Sequence, residues 1–207
     1  MRRLAAAGVA RVSAAGEIVS PARAALRSAT QAAHLRLHAH PTLAALAAGR
    51  IASSQYLRLL ARLYGFHLPF ERALIDAALG HGVDPRIGAR AHLLTRDLLD
   101  LGASGESIAR LPMAEAPALS EPGEWLGALY VREGSSFGAA FLAAALDPLL
   151  GAGCARGRRF LSGGETEDWR LCCAALEAGA ERGLLPAMID GAQASFHALE
   201  HWLDDHE

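Results

Sequence analysis

Apolar residues recur every three or four positions along most of the chain, and no stretch shows the two-residue alternation of a half-buried strand. Proline and glycine punctuate that helical rhythm. Pro21 opens the first convincing helix, at a position where its missing N–H is not needed. This helix runs through AALRSATQAAHLRLHAH and is stopped by Pro41; a short helical piece, TLAALAAG, then ends at Gly49. Ser53 or Ser54 is expected to cap a long helix through QYLRLLARLYGFHLPFERALIDAAL, and Pro69 to kink or split it. Another helix is expected in PRIGARAHLLTRDLLDLG, with Pro85 at its start and Gly102 beyond its end. Residues 103–122 read as a connecting loop, followed by a long apolar helix interrupted by glycines, EWLGALYVREGSSFGAAFLAAAL. A glycine-rich turn around 151–157 and a basic piece, ARGRRFLSGG, precede a helix in ETEDWRLCCAALEAGA. The last helix starts near Pro186. There is no internal repeat. The pattern predicts a single all-α, bundle-like domain over residues 21–207 behind a flexible tail at 1–20.

Composition reinforces that reading. The chain of 207 residues suits one domain with a sizeable core, and it is rich in Ala and Leu but poor in β-branched residues. A formal net charge of −2 argues against a general nucleic-acid binder. The two early arginines and the alanine-rich run at the N-terminus, broken by Arg11, do not make a secretory signal, and no run approaches the roughly twenty apolar residues of a membrane span. A cytoplasmic protein is expected. Cys154, Cys172 and Cys173 offer no CxxC spacing, which disfavours a disulfide scaffold or a cysteine zinc site.

Two helices carry candidate chemistry. On the first, Arg27, Thr30, His34 and Leu37 follow one stripe. Arg27 and His34 are two turns apart, about 10 Å, so one helix could present an imidazole to a metal and a guanidinium to a carboxylate. His34 and His38 also form HxxxH, a spacing that can hold Zn²⁺; no glutamate base lies between them, and Arg36 beside a dication counts against it. On the long glycine-interrupted helix, Gly134 and Gly138 sit four apart, each costing roughly 1 kcal/mol against alanine. Either close helix packing or a flat ligand lying on the backbone would account for them.

The stretch LRSATQAAHLRL resembles the proximal helix of the haem oxygenases, and YVREGSSFGAA resembles the distal helix of bacterial and bacteriophytochrome-associated members. Their order and spacing, and the later segment EDWRLCCAAL, agree with that family over roughly residues 21–205. The resemblance implies a haem oxygenase-like helical bundle that opens haem to biliverdin, CO and iron, using O₂ and an external electron donor such as ferredoxin or a reductase. A bacteriophytochrome is the implied acceptor where biliverdin serves as a chromophore. His34 then matches the axial ligand to haem iron and Thr30 the residue four before it; Arg27 matches a propionate partner. Gly134 and Gly138 match the glycines that let the distal helix approach the haem face, with Phe137 beside them and Ser135 where animal members carry a water-organising aspartate. Arg170 and the cluster Arg156, Arg158 and Arg159 are further propionate candidates, although a solvated face is the favoured reading of the cluster. His38 stands where the family often has an acidic residue, and Ala139 where it often has glycine.

Three other functions compete with turnover. A haem carrier or sensor would use His34 without ring opening, although a pure carrier could place a second ligand where the glycines stand. A thiaminase-like enzyme would share the architecture but needs a cysteine nucleophile with a partner, which no cysteine here obviously has. A helical interaction module would bind no haem at all.

Overall fold

The computed structural model describes residues 20–83, 88–164 and 166–204; of the expected tail at 1–20, residues 1–19 lie outside them. Among the described residues the chain is helical, with no strand. Its elements are α1 (Pro21–Ala39), α2 (Pro41–Ala47), α3 (Ser53–Gly80), α4 (Ala91–Asp100), α5 (Gly105–Ala109), α6 (Pro122–Ala145), α7 (Asp147–Leu150), α8 (Thr166–Glu181) and α9 (Leu185–Asp204).

Several boundaries differ from the pattern, each for a local reason. Ser53 is already helical, so neither serine is the cap of α3; Ala52 is, and its N–H donates to the Gln55 side chain at 3.1 Å. Helix α4 begins at Ala91, because the Glu71 carboxylate of α3 accepts the Arg90 and Ala91 N–H groups at 3.0 Å each. A carboxylate from another helix therefore does the work expected of the chain around Pro85, which itself lies outside the described residues. The connecting segment 103–122 contains α5, capped by the Ser104 hydroxyl accepting from Ser107 N–H at 3.0 Å.

Pro69 neither ends nor splits α3, which continues to Gly80. A proline there removes the N–H that would have bonded to the Gly65 carbonyl. The Ala114 N–H, from the segment after α5, donates to that freed carbonyl at 2.9 Å. Gly65 makes the approach possible, since a Cβ there would collide with the Pro112 carbonyl and the Trp202 ring.

The core lies between α1, α3, α4, α6, α8 and α9. Leu26, Tyr56, Leu60, Phe70, Leu94, Leu176 and Met188 are among its fully buried members. Helices α6 and α9 make the closest pairing. Gly127 of α6 lies against the Met188 backbone, and Gly191 of α9 against the Glu124 backbone; a Cβ at either would overlap main-chain atoms. Small residues thus bring two backbones together. Helix α1 packs across α9 and α8, and α6 packs on the same two helices, so the α1 and α6 motifs are brought to a common region.

Candidate functional site

The α1 stripe divides on folding. Thr30 and Leu37 are buried, while Arg27 and His34 are exposed. The Thr30 hydroxyl donates to the Leu26 carbonyl at 2.8 Å, a bond back into its own helix. It also meets the Tyr130 hydroxyl of α6. Tyr130 is raised above its ordinary pKa chiefly by burial, against lowering by Thr30, Arg27 and Arg23. This contact joins the HLRL-containing helix to the YVREGSSFG helix. Thr30 therefore stands behind the exposed face of α1, supporting the helix.

His34 faces outward beside the α9 ring of Phe196, edge-on at a centroid distance of 6.3 Å. Its Nε2 lies 3.3 Å from the His38 Nε2. Partial burial, then the positive charges of His38 and Arg27, lower its pKa. At neutral pH the ring is uncharged and so able to act as a metal ligand. Arg36, two residues along, is drawn away to α9, where Glu200 holds it with bonds of 2.9 and 3.0 Å. Gln193 adds a bond to the Ala29 carbonyl at 3.2 Å, so α1 is fastened to α9 on both sides of His34.

On α6, Gly134 faces Trp169 of α8: a Cβ there would stand 3.7 Å from the indole ring. The Trp169 ring also lies 6.2 Å from Tyr130 and beneath the Arg23 guanidinium at 5.3 Å. Arg23, Thr30, Tyr130, Gly134 and Trp169 thus form one grouping across α1, α6 and α8. Ser135 is exposed, and its hydroxyl donates to the Arg132 carbonyl of its own helix at 2.8 Å. Phe137 and Gly138 continue α6; their side-chain positions lie outside the described residues. Arg170 follows Trp169 but is exposed, and its guanidinium is held by Glu167 at 2.8 Å. It does not join the grouping around Tyr130 through any bond it makes with Glu167.

Behind the glycines lies a buried ionic network that sequence reasoning missed. Arg132 and Glu133 are 3% and 4% exposed and pair with each other. Arg132 also reaches Glu71 at 3.4 Å and the Gly88 carbonyl. Arg90 donates to the Ser136 hydroxyl, to the Phe160 carbonyl at 2.6 Å and to the Gly163 carbonyl at 2.9 Å. His67 packs between the Phe66 and Phe160 rings, and burial, then Arg132 and Arg90, push its pKa down to about 3. The legible signal was an adjacent Arg-Glu pair inside an otherwise apolar helix, which is stable only if both charges find partners.

The basic piece after the glycine-rich turn is a correction. Arg158 is 4% exposed: it donates to the Ala143 and Gly151 carbonyls and pairs with Asp147 at 2.7 Å. Arg159 is partly covered and bridges Asp97 and Asp100. Of the three, only Arg156 is exposed, and it pairs with Asp100 at 3.3 Å. A turn rich in glycine leaves carbonyls without helical partners, and one guanidinium fork can satisfy several of them. Cys172 is buried and its thiol is raised well above its ordinary pKa, mainly by burial, which removes it as a nucleophile. A surface pocket of about 420 Å³, lined by His40, Arg58 and Leu203 among others, contains none of the residues expected to act.

The family model described as heme oxygenase matches residues 20–203. Among solved structures, the NO- and CO-bound heme oxygenase of Neisseria meningitidis is 25% identical, with a TM-score of 0.63 over 86% of this chain and 87% of that one. No curated protein matches. No described helix is long and apolar enough to cross a membrane.

Proposed function

The chain belongs to the haem oxygenase family, and from that premise we propose that it opens haem with His34 as the axial ligand. It is a haem-degrading enzyme by family and by structural likeness. In the proposed arrangement, haem is both the substrate and the source of the oxygen-activating iron. Biliverdin, CO and iron are the products, and an external donor such as ferredoxin or a reductase supplies electrons. The compartment is the cytoplasm, and a bacteriophytochrome is the acceptor where biliverdin is used as chromophore.

One observation carries the residue assignment. The exposed, uncharged imidazole of His34 shares a helix with Thr30, and Thr30 meets Tyr130 one turn before Gly134 on the glycine-bearing helix. A neutral imidazole suits haem iron where the ring, and not a bound oxygen bond, is to be attacked; a thiolate would favour oxygen–oxygen scission. Arg27, exposed two turns before His34, would pair with a propionate in this arrangement. Gly134 and Gly138, both on α6, would give a helix surface without side chains for the opposite haem face. The Ser135 hydroxyl, anchored on the Arg132 carbonyl, is an exposed polar atom that can order water there.

The test is hemin titration of the wild type and of His34→Ala, followed by ascorbate or ferredoxin reduction in air under absorption spectroscopy. A Soret band that decays into a biliverdin spectrum only in the wild type is the expected result. Stable haem binding without ring opening under several donors would assign a carrier. Absence of saturable binding would overturn the haem site.

A further inference from the structure

We propose that His34 and His38 together form a two-imidazole chelate for a borderline divalent metal ion of the Zn²⁺, Ni²⁺ or Cu²⁺ class in the haem-free protein. The inference begins with a distance. Their Nε2 atoms are 3.3 Å apart, with ring centroids 4.4 Å apart and the rings inclined at 49°. Two imidazole nitrogens bound at about 2.0–2.1 Å to one tetrahedral ion stand about 3.3 Å from each other. Without an ion the same contact is a hydrogen bond between the two rings, so a metal ion would take the place of the shared proton. The pair is therefore already set at the bite of a chelate.

The surroundings permit it. Both residues are exposed on α1, one helical turn apart, so an ion needs no opening of the core and water can complete its coordination. Arg36, the side chain that counts against a cation in the sequence, is turned to α9 and neutralised by both oxygens of Glu200. Arg27 is exposed and two turns away, about 10 Å along the helix; its charge reaches His34 and opposes the ion, but from too far to occupy the coordination sphere. The helix carrying the pair is fixed against α9 by the Arg36–Glu200 and Gln193–Ala29 bonds, so the two rings are presented from a rigid element. Imidazole pairs suit Zn²⁺, Ni²⁺ and Cu²⁺ over harder cations such as Mg²⁺ or Ca²⁺.

A consequence rests on the proposed haem function. The chelate uses the same His34 nitrogen that haem iron would take, so metal and haem exclude each other. A protein that releases iron would then have its substrate affinity set partly by the surrounding transition-metal level.

The experiment is Zn²⁺ titration of the full haem-free chain by calorimetry, with His34→Ala, His38→Ala and His197→Ala alongside. The wild type and His197→Ala should bind one Zn²⁺ saturably, and affinity should fall at least about tenfold in both His34→Ala and His38→Ala. Hemin binding repeated at saturating Zn²⁺ should be weakened in the wild type and indifferent to Zn²⁺ in His38→Ala. Absence of saturable binding by the wild type, or equal affinity in His38→Ala, overturns the chelate. Zn²⁺ binding at the pair without any hemin binding would leave the chelate standing and remove the haem assignment instead.

Discussion

Arg90, in the turn before α4, donates to the hydroxyl of Ser136 in the middle of α6. The same guanidinium holds the Phe160 and Gly163 carbonyls, so three segments distant in sequence meet on one side chain. Gly164 leaves room for this, since a Cβ there would press on Ser136. Arg90→Ala strands two carbonyls and is expected to lower unfolding free energy by on the order of 2–3 kcal/mol. Arg90→Lys should recover less than half of that, because an ammonium cannot span three acceptors as a planar fork does. Denaturant unfolding of both variants checks the loss. Haem turnover should fall further in Arg90→Lys than its stability does, if the latch sets the position of the glycine-bearing turn.

Gly134 separates folding from function. A Cβ there would meet the Trp169 ring at 3.7 Å, an ordinary contact, and alanine favours the helix by up to roughly 1 kcal/mol. Gly134→Ala should therefore unfold at the same temperature as the wild type or a few degrees higher. Its hemin affinity or turnover should fall at least about tenfold, because the methyl group would occupy the haem face. A variant that is stabilised and fully active would move the haem surface away from Gly134.

Gly127 and Gly191 behave in the opposite way. Each already touches main chain of the other helix, so Gly127→Ala would drive its methyl group into the Met188 carbonyl and Gly191→Ala would press on Glu124. Backbones cannot yield as side-chain tips do, and each substitution is expected to cost about 3 kcal/mol or more. Thermal unfolding of the two variants against Gly134→Ala would distinguish glycines kept for packing from a glycine kept for a ligand.

The helices were legible because their signal is local. Apolar spacing, Pro21, Gly49 and Gly102 all act on neighbouring residues, and the structure follows them. What escaped was decided by partners far along the chain. The start of α4 is fixed by Glu71, and α3 continues past Pro69 because Ala114 takes the carbonyl the proline frees. The candidate site residues divide in the same way. His34 and Gly134 stood out by motif, whereas Arg90, Trp169 and His67 become meaningful only when α3, α6 and α8 are assembled. Arg158 was misjudged as solvated because nothing local shows that the glycine-rich turn closes around it.

His67 makes the protein's stability depend on acid. Its folded pKa is pushed down to about 3 by burial, then by Arg132 and Arg90, against 6.5 for an ordinary histidine. Below 6.5 the unfolded chain takes up a proton that the folded site refuses. The stability tied to neutral His67 is thus complete above pH 6.5 and declines as pH falls towards about 3, by up to about 1.4 kcal/mol per pH unit. Replacement by leucine removes the titrating group while keeping an apolar filling between Phe66 and Phe160. His67→Leu should consequently show a shallower loss of stability than the wild type between pH 6.5 and 4.5 in urea unfolding, whatever its absolute stability at pH 7.5. Parallel pH profiles would mean that His67 is protonated in the fold, and that Glu71 or Glu133 compensates Arg132 and Arg90 enough to admit a third positive charge.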